Sequence, residues 1–229
     1  MQVALKGISS MATRQLLADL AGAWQRESGT AVAIESVGGV DAARRVQAGE
    51  PFDFVVLAAD AIDKLIAAER VVAGARFDLV RSGVAVAVRA GDAQPDLSTE
   101  DAVRRAVQGA KSIGYSTGPS GVALTRLFER WGIAEEIKDR IVQATPGVPV
   151  GSLVARGEVA LGFQQLSELL NVGGIAVVGM LPDSIQITTT FSGGICTAST
   201  QADAVRAMFS FMTSPQADEA KRRQGMDPA

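Results

Sequence analysis

Histidine is missing from this chain altogether, and its 229 residues hold one cysteine, Cys196, and one tyrosine, Tyr115. Without histidine the commonest metal ligand and the commonest general base at neutral pH are both gone. Ser-His-Asp and Cys-His catalysis are thereby excluded. A lone cysteine closes no intramolecular disulfide and offers no pair for a metal, so no metal and no cofactor is expected. No stretch approaches the roughly 18 apolar residues of a membrane-spanning helix. Basic excess is lacking too: the formal net charge is −3, whereas a nucleic-acid binder would carry a basic stripe, and no nucleic-acid partner is expected. That balance leaves an anionic ligand open, because the local field matters more than the total. After Met1 the chain runs directly into Val3-Ala4-Leu5-Lys6-Gly7-Ile8, without the basic region and apolar core of a secretory leader. The expected compartment is cytoplasmic if Met1 is the native start and periplasmic if a leader has been removed.

What is present is an alternation of short β-like runs and longer helical ones, which predicts an α/β fold. Strands are expected at Val3–Ile8, Ala31–Val37 and Phe52–Leu57. Helices are expected over Met11–Glu27, where Leu16, Leu17, Leu20 and Trp24 form one stripe, and over Asp41–Ala48 and Ala59–Arg70. This β-α-β-α-β-α order predicts a parallel sheet with right-handed crossovers. The apolar stretches Phe77–Val80 and Gly83–Arg89, interrupted at Arg81-Ser82, read as a crossover to a second lobe. There Ser98 is expected to cap a helix, with Asp101 three residues on. Strands at Lys111–Tyr115, Ile141–Ala144, Ala160–Phe163 and Ile175–Gly179 and helices at Val122–Trp131 and Gly151–Ala155 build that lobe. Ile185–Thr197 reads as a return strand, and two helices within Ala202–Gln224 close the chain. The expected domains are 1–81 plus 192–229 and 82–191, two Rossmann-like lobes with a hinge and a central cleft.

Three turns of small residues join a strand to a helix start: Gly7-Ile8-Ser9-Ser10-Met11, Ser116-Thr117-Gly118-Pro119-Ser120-Gly121 and Val37-Gly38-Gly39-Val40. Such turns leave the first backbone N–H groups of a helix pointing outward beside its positive dipole end. Glycine admits a ligand to the backbone and serine adds donors, which together make an anion site. Serine at an N-cap is also simply structural. The Ser116–Gly121 turn is not a P-loop, since no Gly-Lys-Ser/Thr ending follows. Gln164-Gln165-Leu166-Ser167 offers amides suited to carboxyl groups, or else is a solvated polar helix start. Arg81 would face a cleft and grip a carboxylate, or pair at the surface with Asp78; Arg14 is a further cation one turn into the first helix. Arg44-Arg45 and Lys221-Arg222-Arg223 are expected on solvated faces.

The order of several segments resembles the molybdate-binding-protein branch of the type II periplasmic binding proteins, the solute receptors of ABC importers. The likeness is carried by Lys6-Gly7-Ile8-Ser9-Ser10 before a long amphipathic helix, and by Arg44-Arg45-Val46-Gln47-Ala48-Gly49-Glu50-Pro51-Phe52-Asp53. Val55–Asp60, Gly83–Val88, Ser120-Gly121-Val122, Arg156–Phe163 and Ser214-Pro215-Gln216-Ala217 continue it along nearly the whole chain. The resemblance implies a small anionic ligand, a monomer, and an ABC-transporter permease as partner if the protein is periplasmic. The ligand would be met by Ser9, Ser10, Met11, Gly39, Ala58 and Arg81 on the first lobe. On the second it would be met by Ser116, Ser120, Gly121, Val148, Gln164 and Gln165. Two positions depart from the family's pattern. Gly38, Gly39 and Val40 stand where a second serine is expected, and Gln164-Gln165 stand where a tyrosine is expected. Both departures point away from a tetrahedral oxyanion and toward an elongated organic carboxylate.

A solute-binding protein needs no chemistry, which suits a chain without histidine. Some proteins resembling this branch isomerise aconitate, moving a double bond in a tricarboxylate by a 1,3-proton shift. That reaction needs a group to remove and return a proton; Tyr115, Ser10, Asp60 and Glu168 are the candidates. Molybdate or tungstate binding, or sensing of an anion without a transporter, are the remaining readings.

Overall fold

In the computed structural model, residues 4–229 are described. Along the chain come β1 (Leu5–Ser10), α1 (Arg14–Ser28), β2 (Val32–Val37), α2 (Gly39–Gln47), β3 (Phe54–Ala58), α3 (Ala59–Ala67) and the long strand β4 (Val71–Arg89). Then follow α4 (Glu100–Gly109), β5 (Ile113–Tyr115), α5 (Pro119–Arg130), α6 (Ala134–Ile137), β6 (Ile141–Gln143), α7 (Val150–Ala155), β7 (Leu161–Gln165), α8 (Leu166–Leu169) and β8 (Ile175–Met180). The chain ends with β9 (Thr188–Cys196), α9 (Ala202–Met212), α10 (Asp218–Arg223) and β10 (Asp227–Pro228). It divides into two compact units, one running to Ser82 and resuming with Thr190–Ala229, the other Gly83–Thr189.

The first unit orders its strands β2-β1-β3-β9-β4. β1 pairs in parallel with β2 and β3, with Ser10 beside Val37 and Ser9 beside Val56, and β9 returns antiparallel to β3. β3 is buried on both faces, so it is apolar throughout rather than alternating with polar residues. Alternation instead decides the layer. Leu5, Phe54 and Val56 join Leu16, Leu17 and Leu20 of α1 and Phe209 of α9. Ile8, Val55 and Leu57 face Val46 of α2 and Ile62 and Leu65 of α3. Each such side chain contributes about 1.5–3 kcal/mol by leaving water. The layering depends on Gly7, where a Cβ would stand 2.1 Å from the Phe54 ring.

In the second unit the order is β4-β7-β5-β6, with β8 also on β4. β5 runs parallel to β6 and β7, while β7 and β8 are antiparallel to β4. Tyr115 and Phe163 pack with Phe128 of α5 on one face. On the other, Gly162 lets α7 lie close, since a Cβ there would meet Val154 at 2.5 Å.

Several sequence expectations change. The first strand was placed from Val3, which lies outside the described residues; it is described from Leu5. β4 is not interrupted at Arg81-Ser82, because strand alternation exposes Arg81 and buries its neighbours Val80 and Ser82. α4 is capped by Thr99, whose Oγ1 accepts the Ala102 N–H at 3.1 Å; Ser98 instead donates its N–H to Asp96. Lys221 is not solvated: it is 1% exposed and pairs with Asp218 at 3.3 Å. Arg45 is likewise engaged, bridging Glu35 and Glu50.

Candidate functional site

At the carboxyl ends of the parallel strands β1, β2 and β3, the first unit gathers Ser9, Ser10 and the starts of α2 and α3, the place where open α/β sheets bind ligands. β1 does not enter α1 directly. A single 3-10 turn, Met11–Thr13, intervenes, with Ser10 at its N-cap in extended geometry. Ser9 shares a 2.8 Å hydroxyl contact with Ser36 on β2, a partner the sequence reading did not single out. Ser10 behaves differently. It caps nothing through its side chain, although its carbonyl accepts the Thr13 hydroxyl at 3.2 Å. Its own Oγ is buried without a hydrogen-bond partner among the described residues. Buried hydroxyls are nearly always partnered, since an unmet one costs about 1–3 kcal/mol.

α2 starts beside that hydroxyl: a Cβ on Gly39 would lie 3.6 Å from Ser10 Cβ. The N-caps of α2 and α3 are Gly38 and Ala58, and neither makes a side-chain cap bond. Their first-turn N–H groups therefore keep the positive end of each helix open to an anion. Asp41 and Asp60 in those turns pair with Arg44 and Lys64. Ala58 is buried and Met11 half-buried, while Arg14 is exposed. Arg81 pairs in register with Asp227 on β10 and donates to the Pro228 carbonyl at 3.2 Å.

The second unit has a comparable face at the carboxyl ends of β5 and β7. α5 starts at Pro119 with Gly118 as N-cap and no side-chain cap bond; Ser120 in its first turn is buried. Gly121 has a packing task, since a Cβ there would fall 1.8 Å from the Ser116 carbonyl oxygen. Val148, 36% exposed, precedes α7. Gln164 and Gln165 are not a solvated helix start. They are the last residues of β7, 2% and 3% exposed. Gln165 donates to Thr189 Oγ1 at 3.0 Å. Gln164 Oε1 accepts the Gly151 N–H at 3.2 Å, and its Nε2 donates to Glu168 at 2.9 Å.

That arrangement separates the four proton-transfer candidates. Asp60 is exposed and paired with Lys64. Tyr115 is buried among aromatics, its hydroxyl 3.5 Å from Thr125. Ser10 Oγ makes no hydrogen bond to any group among the described residues. Glu168 is tuned: loss of water around it pushes its carboxyl up to about 7, against the weaker lowering effect of the Gln164 amide. Cys196 is buried, its thiol pushed up to about 12 chiefly by desolvation and further by Asp53, which makes it inert.

Among the described residues no helix is long and apolar enough to cross a membrane. A family model described as bacterial extracellular solute-binding protein matches residues 5–227. The chain belongs to this family. The chain is 38% identical, over 80% of its own length and 70% of the relative's, to a protein named aconitate isomerase from a Pseudomonas species. Its fold is that of the periplasmic binding proteins. The periplasmic molybdate-binding protein of Azotobacter vinelandii superposes with a TM-score of 0.80 at 23% identity, covering 97% of this chain and 98% of that one. The tungstate-binding protein of Desulfovibrio alaskensis does so at 0.70 and 17% identity, covering 99% and 98%.

Proposed function

We propose that this solute-binding-family protein holds a small polycarboxylate at its helix N-termini and interconverts the isomers of aconitate. The observation that carries the anion part is the Ser10 hydroxyl, buried and unpartnered next to the open start of α2. A carboxylate oxygen there would accept from Ser10 Oγ and from first-turn N–H groups, giving that hydroxyl an acceptor. The choice of carboxylate over a tetrahedral oxyanion is supported by the glycine at position 39 and by the inward commitment of Gln164 and Gln165. Conversion rather than holding alone is supported by the name of the 38% identical relative and by Glu168, a carboxyl able to take and return a proton near neutral pH.

Two measurements test this. Thermal shift against molybdate, tungstate, sulfate, citrate and trans-aconitate is expected to rise with the tricarboxylates; a rise with molybdate alone would overturn the ligand class. Incubation with cis-aconitate, followed by ultraviolet absorbance and proton NMR, is expected to yield the trans isomer. Binding without interconversion would leave a receptor.

A further inference from the structure

We propose that Glu168 is the group that carries the proton in this reaction, and that Gln164 is the positioning residue that holds it. The inference rests on the isomerase reading above. Its geometry lies wholly in the second unit. β5 and β7 run parallel, with Tyr115 beside Phe163, so Ser116, which opens the turn into α5, and Gln164 both continue from that pair at the same carboxyl end. The start of α5, near Ser120, and Glu168, three residues past the end of β7, therefore belong to the same carboxyl edge of the sheet, where an anionic end of the substrate would be held.

The Gln164 amide has its orientation fixed from both sides. The Gly151 N–H can only donate, so it takes Oε1 and leaves the Nε2 group to donate to Glu168. One carboxyl oxygen of Glu168 is thus fixed by a neutral donor. The surroundings supply no charge. Leu161–Gln165 of β7, Val150–Ala155 of α7 and Ile175–Met180 of β8 contain no ionisable side chain. The β4 segment in this unit brings only Arg89, which pairs with Asp92. Desolvation without a cation is what holds a carboxyl near neutrality.

The chemistry balances without a co-reactant. Ionised Glu168 takes a proton from the CH2 carbon of propene-1,2,3-tricarboxylate, breaking that C–H bond. The electron pair spreads over the three-carbon allyl unit and its carboxylates. The protonated Glu168 then returns the proton to the former vinylic carbon, and the double bond moves across the central carbon. Because the skeleton reads the same from both ends, the product is aconitate again, as cis or trans.

The test compares wild type, E168Q, E168D and Q164A in cis-aconitate turnover, with trans-aconitate thermal shift as the binding readout. E168Q keeps an oxygen to accept from Gln164, so it is expected to fold and to retain the ligand-induced shift, while kcat falls by about 10²–10⁴-fold and KM stays within a few-fold. E168D is expected to recover part of that loss. In Q164A the lost donor raises the Glu168 pKa, so the acidic limb of the kcat profile should move to higher pH. A packing role alone would not move that limb. Active wild type with unimpaired E168Q would overturn the Glu168 assignment and leave the isomerase reading standing. An unmoved limb in Q164A would overturn the role of Gln164. Wild type that binds trans-aconitate without turning it over would overturn both the isomerase reading and this inference.

Discussion

Ser10 and Gly39 stand close enough that a methyl group on Gly39 would lie 3.6 Å from Ser10 Cβ. The end of β1 and the start of α2 are therefore one surface, with a buried hydroxyl that has no hydrogen-bond partner among the described residues. In S10A that unmet group disappears, so the ligand-free protein should be as stable as wild type or up to about 1 kcal/mol more stable. Its tricarboxylate-induced thermal shift should largely vanish. Urea denaturation and thermal shift read the two effects separately; a loss of more than about 1 kcal/mol in the free protein would mean that Ser10 serves the fold instead.

Gly118 and Gly121 sit in the same turn with opposite tolerances. A Cβ on Gly121 would overlap the Ser116 carbonyl at 1.8 Å, whereas one on Gly118 meets only the Ser116 hydroxyl at 3.6 Å. G121A should lose about 3 kcal/mol or more, since backbone must move. G118A should stay within about 1 kcal/mol of wild type. Urea midpoints for the two variants decide; equal values would show that the turn is softer than its packing implies.

What was legible in the sequence follows from how locally each feature is determined. Ile8, Val55 and Leu57 against Leu5, Phe54 and Val56 could be assigned to strands because apolar runs bounded by turn residues leave few alternatives. The turn serines were legible as helix starts for the same reason. The unpartnered state of Ser10 was not, because it depends on a 3-10 turn that rotates its hydroxyl away from any capping bond. The burial of Gln164 was not legible, because Gln164-Gln165 after Phe163 read equally as amides for a ligand or as a solvated helix start. Its burial is decided by Gly151, thirteen residues away and on another element. Lys221 likewise reads as one of three solvated cations, and only the packing of α10 against the first unit's core buries its stem beside Asp218.

The start of α4 offers a test of that limit. Ser98 and Thr99 are both able to cap, and only Thr99 does so. T99A should cost about 1 kcal/mol. S98A should cost a few tenths at most, because the Ser98 contact to Asp96 is made by its backbone N–H. Circular dichroism thermal melts of the two variants distinguish them, and equal losses would remove Thr99 as the cap.

Glu168 also makes stability depend on pH, whatever the ligand. Its folded-state pKa is raised from 4.5 to about 7, so between those values the folded protein holds a proton that the unfolded chain has released. The stability contributed by the neutral carboxyl is fully present below about 4.5 and is lost as pH rises through about 7. At most this amounts to about 3 kcal/mol, less what water entering the half-buried site recovers. E168Q stays neutral at every pH and keeps an acceptor for Gln164. It should therefore match wild type in urea at pH 5 and exceed it at pH 8, with the difference opening across the interval between. Parallel pH profiles for the two proteins would mean that Glu168 ionises freely in the fold, and a proton carrier tuned by burial would then have no physical basis.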